Sequence, residues 1–224
     1  MVKYDFTVDI SQDNNSHTKI IKMSDKGKDV LEIGPSTGYM TKILKEQFSH
    51  RVSCIEINEE AAEKAKPYCE KMVISNIETL HLGDHFAPAT FDVIILADVL
   101  EHLKDPWAVL VKLKPYLRDD GCILASIPNV GYIGLVLELM EGRFRYRELG
   151  LLDSTHLRFF TRESIWEMFE AGGYRITDWD CTVVPPQNSE FGIRMEKYPA
   201  EVVAFIQRNP DAYVYQFIVK AHKE

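Results

Sequence analysis

Paired cysteines are missing from this chain. Cys54, Cys69, Cys122 and Cys181 are scattered, with no C-x-x-C among them. They read as reduced, buried thiols of a cytoplasmic protein rather than a disulfide framework. No stretch approaches the ~18 consecutive apolar residues of a membrane-spanning helix. The opening Met1-Val2-Lys3-Tyr4-Asp5 lacks the apolar core of a signal peptide. Acidic residues outnumber basic ones, 34 to 26. The 224 residues carry a net charge of −8, so the overall field gives no support to a nucleic-acid partner. Internal repeats and linkers are also absent, which predicts one domain over residues 1–224. What is present is an ordinary globular balance, 46% apolar and 27% charged, on a chain long enough for a sizeable core.

The most informative stretch is Val30-Leu31-Glu32-Ile33-Gly34-Pro35-Ser36-Thr37-Gly38-Tyr39. Val30 to Ile33 is a short apolar run that reads as a buried strand. A turn of small residues follows, and Met40, Ile43, Leu44 and Phe48 then recur at helical spacing. Strand, small-residue turn and helix form the cofactor-holding corner of a doubly wound α/β domain. Gly34 and Gly38 permit a sharp bend and close approach of a ligand to the backbone. The spacing is neither the G-x-G-x-x-G of a dinucleotide site nor a Walker loop, since no Lys follows Gly38. Glu32 places at the strand end a carboxylate that would repel a pyrophosphate and suit an ammonium or sulfonium ligand.

The rest of the chain repeats the strand–helix alternation. Residues 1–27 form a polar, turn-rich cover with a short helix over about 16–23, capped by Ser16. Val52 to Ile55 is a second strand ending at Glu56, about 20 residues past the glycine turn, where two acceptor oxygens match a ribose diol. Asn58 caps a helix over 59–70 that Pro67 limits. Met72 to Ile74 is a third strand. Val93 to Leu96 is a continuous apolar run, as expected of a central parallel strand. It delivers Ala97, Asp98, Glu101 and His102 to the carboxyl edge of the sheet, where ligands bind in such folds. Asp98, Glu101 and His102 also group hard oxygens with an imidazole, but one short cluster does not assign an ion, and no metal is expected. A fifth strand, Cys122 to Ile127, ends at Pro128-Asn129. Segment 130–160 then departs from a minimal core and reads as a helical lid over the carboxyl edge. Its Arg143, Arg145 and Arg147 alternate with Phe144 and Tyr146. That pattern suits a phosphate or carboxylate of a ligand, and equally a solvated edge or subunit contact. Asp153 and His156 share a face if this stretch is helical. A helix capped by Thr161, a sixth strand over 174–181, a helix near 199–207 and a last strand over 212–219 complete the chain.

Glu32-x-Gly34-x-Ser36-x-Gly38 resembles the first motif of class I S-adenosylmethionine (SAM) methyltransferases, with Ser36 where a glycine is commoner. Ala97-Asp98-Val99-Leu100-Glu101-His102-Leu103 resembles the fourth. Together with Ile127-Pro128-Asn129-Val130, residues 151–161 and Tyr4–Asp9, these stretches are similar to a bacterial subgroup associated with glycosyltransferases and surface-glycan assembly. The resemblance implies a mostly parallel seven-stranded sheet with its last strand antiparallel. It implies SAM held by Glu32, Gly34, Ser36, Gly38, Glu56, Ile57, Asn76, Ile77 and Ala97, with Asn76 and Ile77 at the adenine. The expected reaction is methyl transfer to a hydroxyl of a small polar acceptor such as a nucleotide sugar or glycan precursor. His156 is the favoured base, oriented by Asp153, with His102 as a second candidate. Asn129, Arg143, Arg145 and Arg158 are the expected acceptor contacts. The competing expectation is a SAM-binding partner protein of a glycan pathway without catalysis.

Overall fold

The computed structural model describes residues 2–224; Met1, where the expected cover begins, lies outside them. The chain runs α1 (Ser16–Met23), β1 (Asp29–Ile33), α2 (Tyr39–Phe48), β2 (Arg51–Glu56), α3 (Glu59–Ala65), β3 (Lys71–Ile74), β4 (Phe91–Ala97), α4 (Pro106–Leu113), β5 (Leu117–Pro128), α5 (Ile133–Met140), α6 (Arg162–Ala171), β6 (Tyr174–Val183), α7 (Ala200–Ile206) and β7 (Val214–Lys223). The strands form one seven-stranded sheet in the order β3-β2-β1-β4-β5-β7-β6. β1 to β5 pair in parallel. β7 is inserted between β5 and β6 and runs antiparallel to both. The sheet is therefore mixed, in a Rossmann-like arrangement.

The strand order follows from what each strand buries. Leu31, Ile94, Ile95, Leu96, Ile123 and Leu124 are fully buried, as a central strand covered on both faces requires. Each such side chain contributes roughly 1.5–3 kcal/mol of transfer free energy. One face carries α4 and α6 through Leu110, Leu113, Ile165 and Phe169. The other carries α1 and α2 through Ile20, Ile21, Met40 and Leu44. A third cluster lies beyond the end of β5, where Ile133, Leu135 and Leu137 of α5 pack with Leu151, Leu152 and Phe191.

Several boundaries differ from those read in the sequence. Asn15 rather than Ser16 caps α1, its side chain accepting from Thr18 N. α3 stops at Ala65 instead of 70, and one 3-10 turn over Lys66–Tyr68 follows. Pro67 lacks an N–H and disfavours helix in its predecessor, which accounts for the early stop. β5 starts at Leu117, so Asp119-Asp120-Gly121 lies inside the strand; the register shift between Phe91 and Val93 on β4 absorbs the irregularity. β7 runs on to Lys223, past the expected 219, because its pairing with both neighbours continues to His222 and Lys223. The expected helical lid is helical only in α5, which buries one face in the third cluster. Residues 141–160 are otherwise irregular, joined by isolated bridges such as Arg147 to Asp153.

Candidate functional site

A cavity of about 720 Å³ opens at the carboxyl edge of the parallel strands. Its two ends are built differently.

The first end is made by the turn after β1 and the ends of β2 and β3. Gly34, Ser36 and Gly38 adopt φ of 69°, 51° and 81°. A Cβ on Gly38 would lie 2.7 Å from Ala65 Cα, so this glycine is demanded by both conformation and packing. Ser36 tolerates its left-handed backbone because its side chain is used: Oγ donates to the carbonyl of Tyr4. The Glu56 carboxylate is fixed at both oxygens, accepting from Ser36 N at 2.9 Å and Asn58 N at 2.8 Å. Each oxygen keeps a lone pair for a diol. Ile57 beside it is 67% exposed, an apolar surface at the cavity wall. Gly34, Ser36, Glu56, Ile57, Asn76, Ile77 and Ala97 all line the cavity. The Asn76 carbonyl oxygen already accepts from Glu78 N at 2.8 Å.

Gly38 and Glu32 stand behind this wall rather than in it. Glu32 is buried and accepts from Thr41 Oγ1 at 2.7 Å. Burial, reinforced by the nearby Glu56 carboxylate, pushes its pKa up to about 7. The sequence places this group against a cationic ligand; the structure places it against α2, holding the strand–helix corner together.

The second end gathers residues far apart in the chain. Asp98, the residue after β4, has φ 53°, a sparsely populated backbone for a non-glycine residue and one that clusters at functional sites. Its Oδ1 accepts from Ser126 Oγ at 2.6 Å and Gln216 Nε2 at 2.8 Å. Glu101 is buried, and among the described residues neither of its carboxylate oxygens finds a hydrogen-bond partner. Burial, with the Asp98 charge adding to it, holds its pKa well above the usual carboxylate range. His102 and His156 meet edge to face with ring centroids 4.8 Å apart. Nδ1 of His102 contacts Thr155 Oγ1 at 3.1 Å and Thr155 O at 3.3 Å. Nδ1 of His156 contacts Leu151 O at 3.1 Å. Burial lowers the pKa of both rings, and for His102 the neighbouring His156 adds to it. That direction favours the neutral form of both imidazoles.

Asp153 does not orient His156 through its side chain. Residues 151–155 form turns, not a helix, and the Asp153 carboxylate points the other way. It accepts from Lys3 Nζ at 2.7 Å, Tyr4 OH at 2.9 Å and Thr155 Oγ1 at 2.8 Å. Burial opposes its ionisation, but Lys3, Thr155 and Tyr4 outweigh that and hold its pKa down at about 2. Val2, Lys3, Tyr4 and Phe6 line the cavity. The same segment is tied to the glycine turn by Ser36 Oγ and by Thr37 Oγ1, which donates to Asp5 at 2.7 Å.

The four expected acceptor contacts lie outside this wall. Asn129 donates to Asp211 O and Val214 O and accepts from Gly131 N, so its amide locks the end of β5 to β7. Arg143 pairs with Glu138 and Glu141. Arg145 is exposed. Arg158 donates to Lys104 O and sits over the Trp107 ring. In their place the wall holds Leu149, Leu151, Thr155, Leu157 and Tyr215. Only the Asp-Ser-Thr-His stretch offered a sequence signal for any of these.

A β-strand, glycine-turn and carboxylate corner on a mixed seven-stranded sheet defines a nucleoside-cofactor enzyme of the Rossmann-like class. A methyltransferase-domain family model matches residues 15–178, and the chain belongs to that family, as a class I SAM-dependent methyltransferase. Among curated relatives, a ubiquinone biosynthesis O-methyltransferase of Aeromonas salmonicida is 22% identical over 184 residues, covering 81% of this chain and 77% of its own. Among solved structures, a putative methyltransferase of Bacillus halodurans superposes with TM-score 0.62 at 16% identity, over 92% of this chain and 98% of its own. A Burkholderia thailandensis 1,6-didemethyltoxoflavin-N1-methyltransferase, solved with bound 1,6-didemethyltoxoflavin and S-adenosylhomocysteine, superposes with TM-score 0.59 at 18% identity, over 96% of this chain and 81% of its own. These structural likenesses bear on the fold. The cofactor is SAM, and the first end of the cavity fits it. The turn leaves room for backbone approach, and Glu56 offers acceptors to a ribose.

Proposed function

We propose that this chain, acting as one domain, transfers the methyl group of SAM to a hydroxyl of a small acceptor held at the second end of the cavity. The observation that carries this reading is the sharing of one cavity by the Glu56 corner and by two neutral imidazoles, His102 and His156. Methyl transfer from a sulfonium is an in-line displacement. Holding the two reactants in line contributes up to ~7–11 kcal/mol. A hydroxyl acceptor must also lose its proton, and a neutral imidazole within reach supplies the basic nitrogen. His156 is the favoured base and His102 its neighbour.

The names of the curated relatives support an oxygen acceptor. A sugar or nucleotide-sugar hydroxyl rests on the resemblance of Tyr4–Asp9, Ala97–Leu103 and residues 151–161 to the glycan-associated subgroup. The leucines at 149, 151 and 157 and the Tyr215 ring favour an acceptor with an apolar face beside that hydroxyl. Residues 149–157 serve as the acceptor-facing lid, and four free cysteines suit a cytoplasmic setting. Calorimetric titration with SAM on the wild type and on Glu56→Ala tests the cofactor corner; weaker binding in the variant is expected. A methyl-transfer screen over nucleotide sugars and aromatic alcohols tests the rest. SAM binding with no turnover across that panel would favour the non-catalytic partner role instead.

A further inference from the structure

Glu101 is the least explained group in the molecule. It is 1% exposed, and among the described residues neither carboxylate oxygen has a hydrogen-bond partner. Ionised, it is a buried charge without a counter-charge. Protonated, it is a buried donor without an acceptor. Either state costs free energy that folding has to offset, because buried polar groups are otherwise almost always partnered. A group of this kind in a native fold asks for a ligand.

Its surroundings supply the rest of a site. Glu101, His102 and His156 each offer one ligand atom, and these atoms lie within 4.8 Å of one another. The two rings are already steered by backbone carbonyls. His156 Nδ1 faces Leu151 O at 3.1 Å, and His102 Nδ1 faces Thr155 O at 3.3 Å. With a proton on each Nδ1, the lone pair of each ring is on Nε2. An outer carbonyl that fixes the tautomer and aims the other nitrogen is the usual support of a metal-bound histidine. Asp98 is differently placed. Its Oδ1 is engaged by Ser126 and Gln216, and its Oδ2 lies 3.8 Å from His17. The trio that the sequence groups at this strand end, Asp98 with Glu101 and His102, is thus divided by the fold. His156, 54 residues further along, takes the place beside the other two.

We propose that Glu101, His102 and His156 form a binding site for a divalent transition-metal ion of the zinc class, facing the acceptor end of the cavity. Two imidazole nitrogens and one carboxylate favour Zn²⁺, Co²⁺ or Fe²⁺ over Mg²⁺ or Ca²⁺, which prefer all-oxygen sets. Bond lengths of about 2.0–2.1 Å place tetrahedral ligand atoms roughly 3.3 Å apart. The set therefore closes by an ångström or so when it binds, which side-chain rotation within the cavity allows. Three protein ligands leave a fourth position open toward the cavity, the arrangement of catalytic rather than structural sites.

The ion replaces His156 as the group that activates the acceptor, because an imidazole nitrogen that ligates it has no lone pair left for a proton; this part rests on the methyl-transfer reading. A hydroxyl that takes the open position is acidified. Its O–H bond breaks and the proton passes to solvent. The oxygen then forms a bond to the methyl carbon as the S–CH₃ bond breaks, and that electron pair returns to sulfur, leaving S-adenosylhomocysteine. The acceptor class is then an alcohol or phenol able to ligate through oxygen.

The test uses the full chain freed of metal with a chelator and titrated with Co²⁺. Binding of one ion per chain, with the intense visible bands of a four- or five-coordinate site that Zn²⁺ then displaces, is expected. Glu101→Gln, His102→Ala and His156→Ala should each weaken Co²⁺ binding by more than ~100-fold, while melting cooperatively like the wild type. Asp98→Asn should leave the bands in place. Wild-type protein showing no bands at stoichiometric Co²⁺ overturns the proposal. So does loss of binding in Asp98→Asn with retention in His156→Ala. SAM titration of the metal-free chain separates the two readings: SAM binding without metal binding removes the ion and leaves the methyltransferase.

Discussion

The two ends of the cavity differ in what they are made of. At the cofactor end the chain folds on itself locally: a turn of five residues, the carboxylate of the next strand, and backbone amides that hold that carboxylate. At the acceptor end no single stretch suffices. Tyr4, Glu101, His102, Thr155 and Tyr215 come from the start, middle and end of the chain. The first end depends on backbone conformation and tolerates little change. The second depends on side chains mounted on irregular segments, which can be exchanged without disturbing the sheet. Such a division allows one cofactor to serve many acceptors.

Perturbing each end in turn sharpens that contrast. The largest effect is expected of Gly38→Val. Its Cβ would overlap Ala65 and its φ of 81° disfavours a branched residue, so a loss of about 2–4 kcal/mol in chemical denaturation should accompany loss of SAM binding. Glu56→Ala strands the amides of Ser36 and Asn58 and removes the acceptors proposed for the ribose. SAM affinity should fall by roughly 10- to 100-fold by calorimetry, with a much smaller change in stability than at Gly38.

Glu32 sets a pH effect at the same end. Its folded pKa of about 7 stands above the ordinary 4.5. The folded state therefore holds this proton more tightly than the unfolded one. The contribution is complete below pH 4.5 and is lost as pH rises toward 7. Glu32→Gln should be about 1–3 kcal/mol more stable than the wild type at pH 8 and no more stable at pH 4.5. Denaturation curves that shift equally at both pH values would break this account. The smallest effect belongs to the acceptor end. Tyr4→Phe removes the hydroxyl that reaches Asp153 and Thr155. It should change stability by less than about 1 kcal/mol and speed SAM dissociation several-fold in stopped-flow measurements.

The same division decided what could be read from the residues alone. The strands β1 and β4 and the glycine turn were legible because hydrophobic runs and small residues act over a few positions. The position of Glu56, at the end of β2 beside the turn, was legible because its distance from the turn is set by one helix and one strand. The antiparallel direction of β7 came with the methyltransferase resemblance rather than from its residues, and its place between β5 and β6 was not read at all, since pairing partners leave no local trace. Glu32 was misplaced because a strand-end carboxylate can face the ligand or the following helix, and only packing chooses. Arg143 and Asn129 looked available because their partners, Glu138 and the carbonyls of Asp211 and Val214, are found by folding. Asp153 and His156 were spaced for a helix that the chain does not form.

The segment around Tyr4 has one further consequence. It is fastened at Ser36 and Thr37 on one side and at Asp153 on the other. Spent nucleoside leaving the cofactor corner by that side has to wait for several contacts to let go together. Where that release is slower than bond-making, the turnover number reports unfastening, and deuterium on the transferred methyl leaves it unchanged.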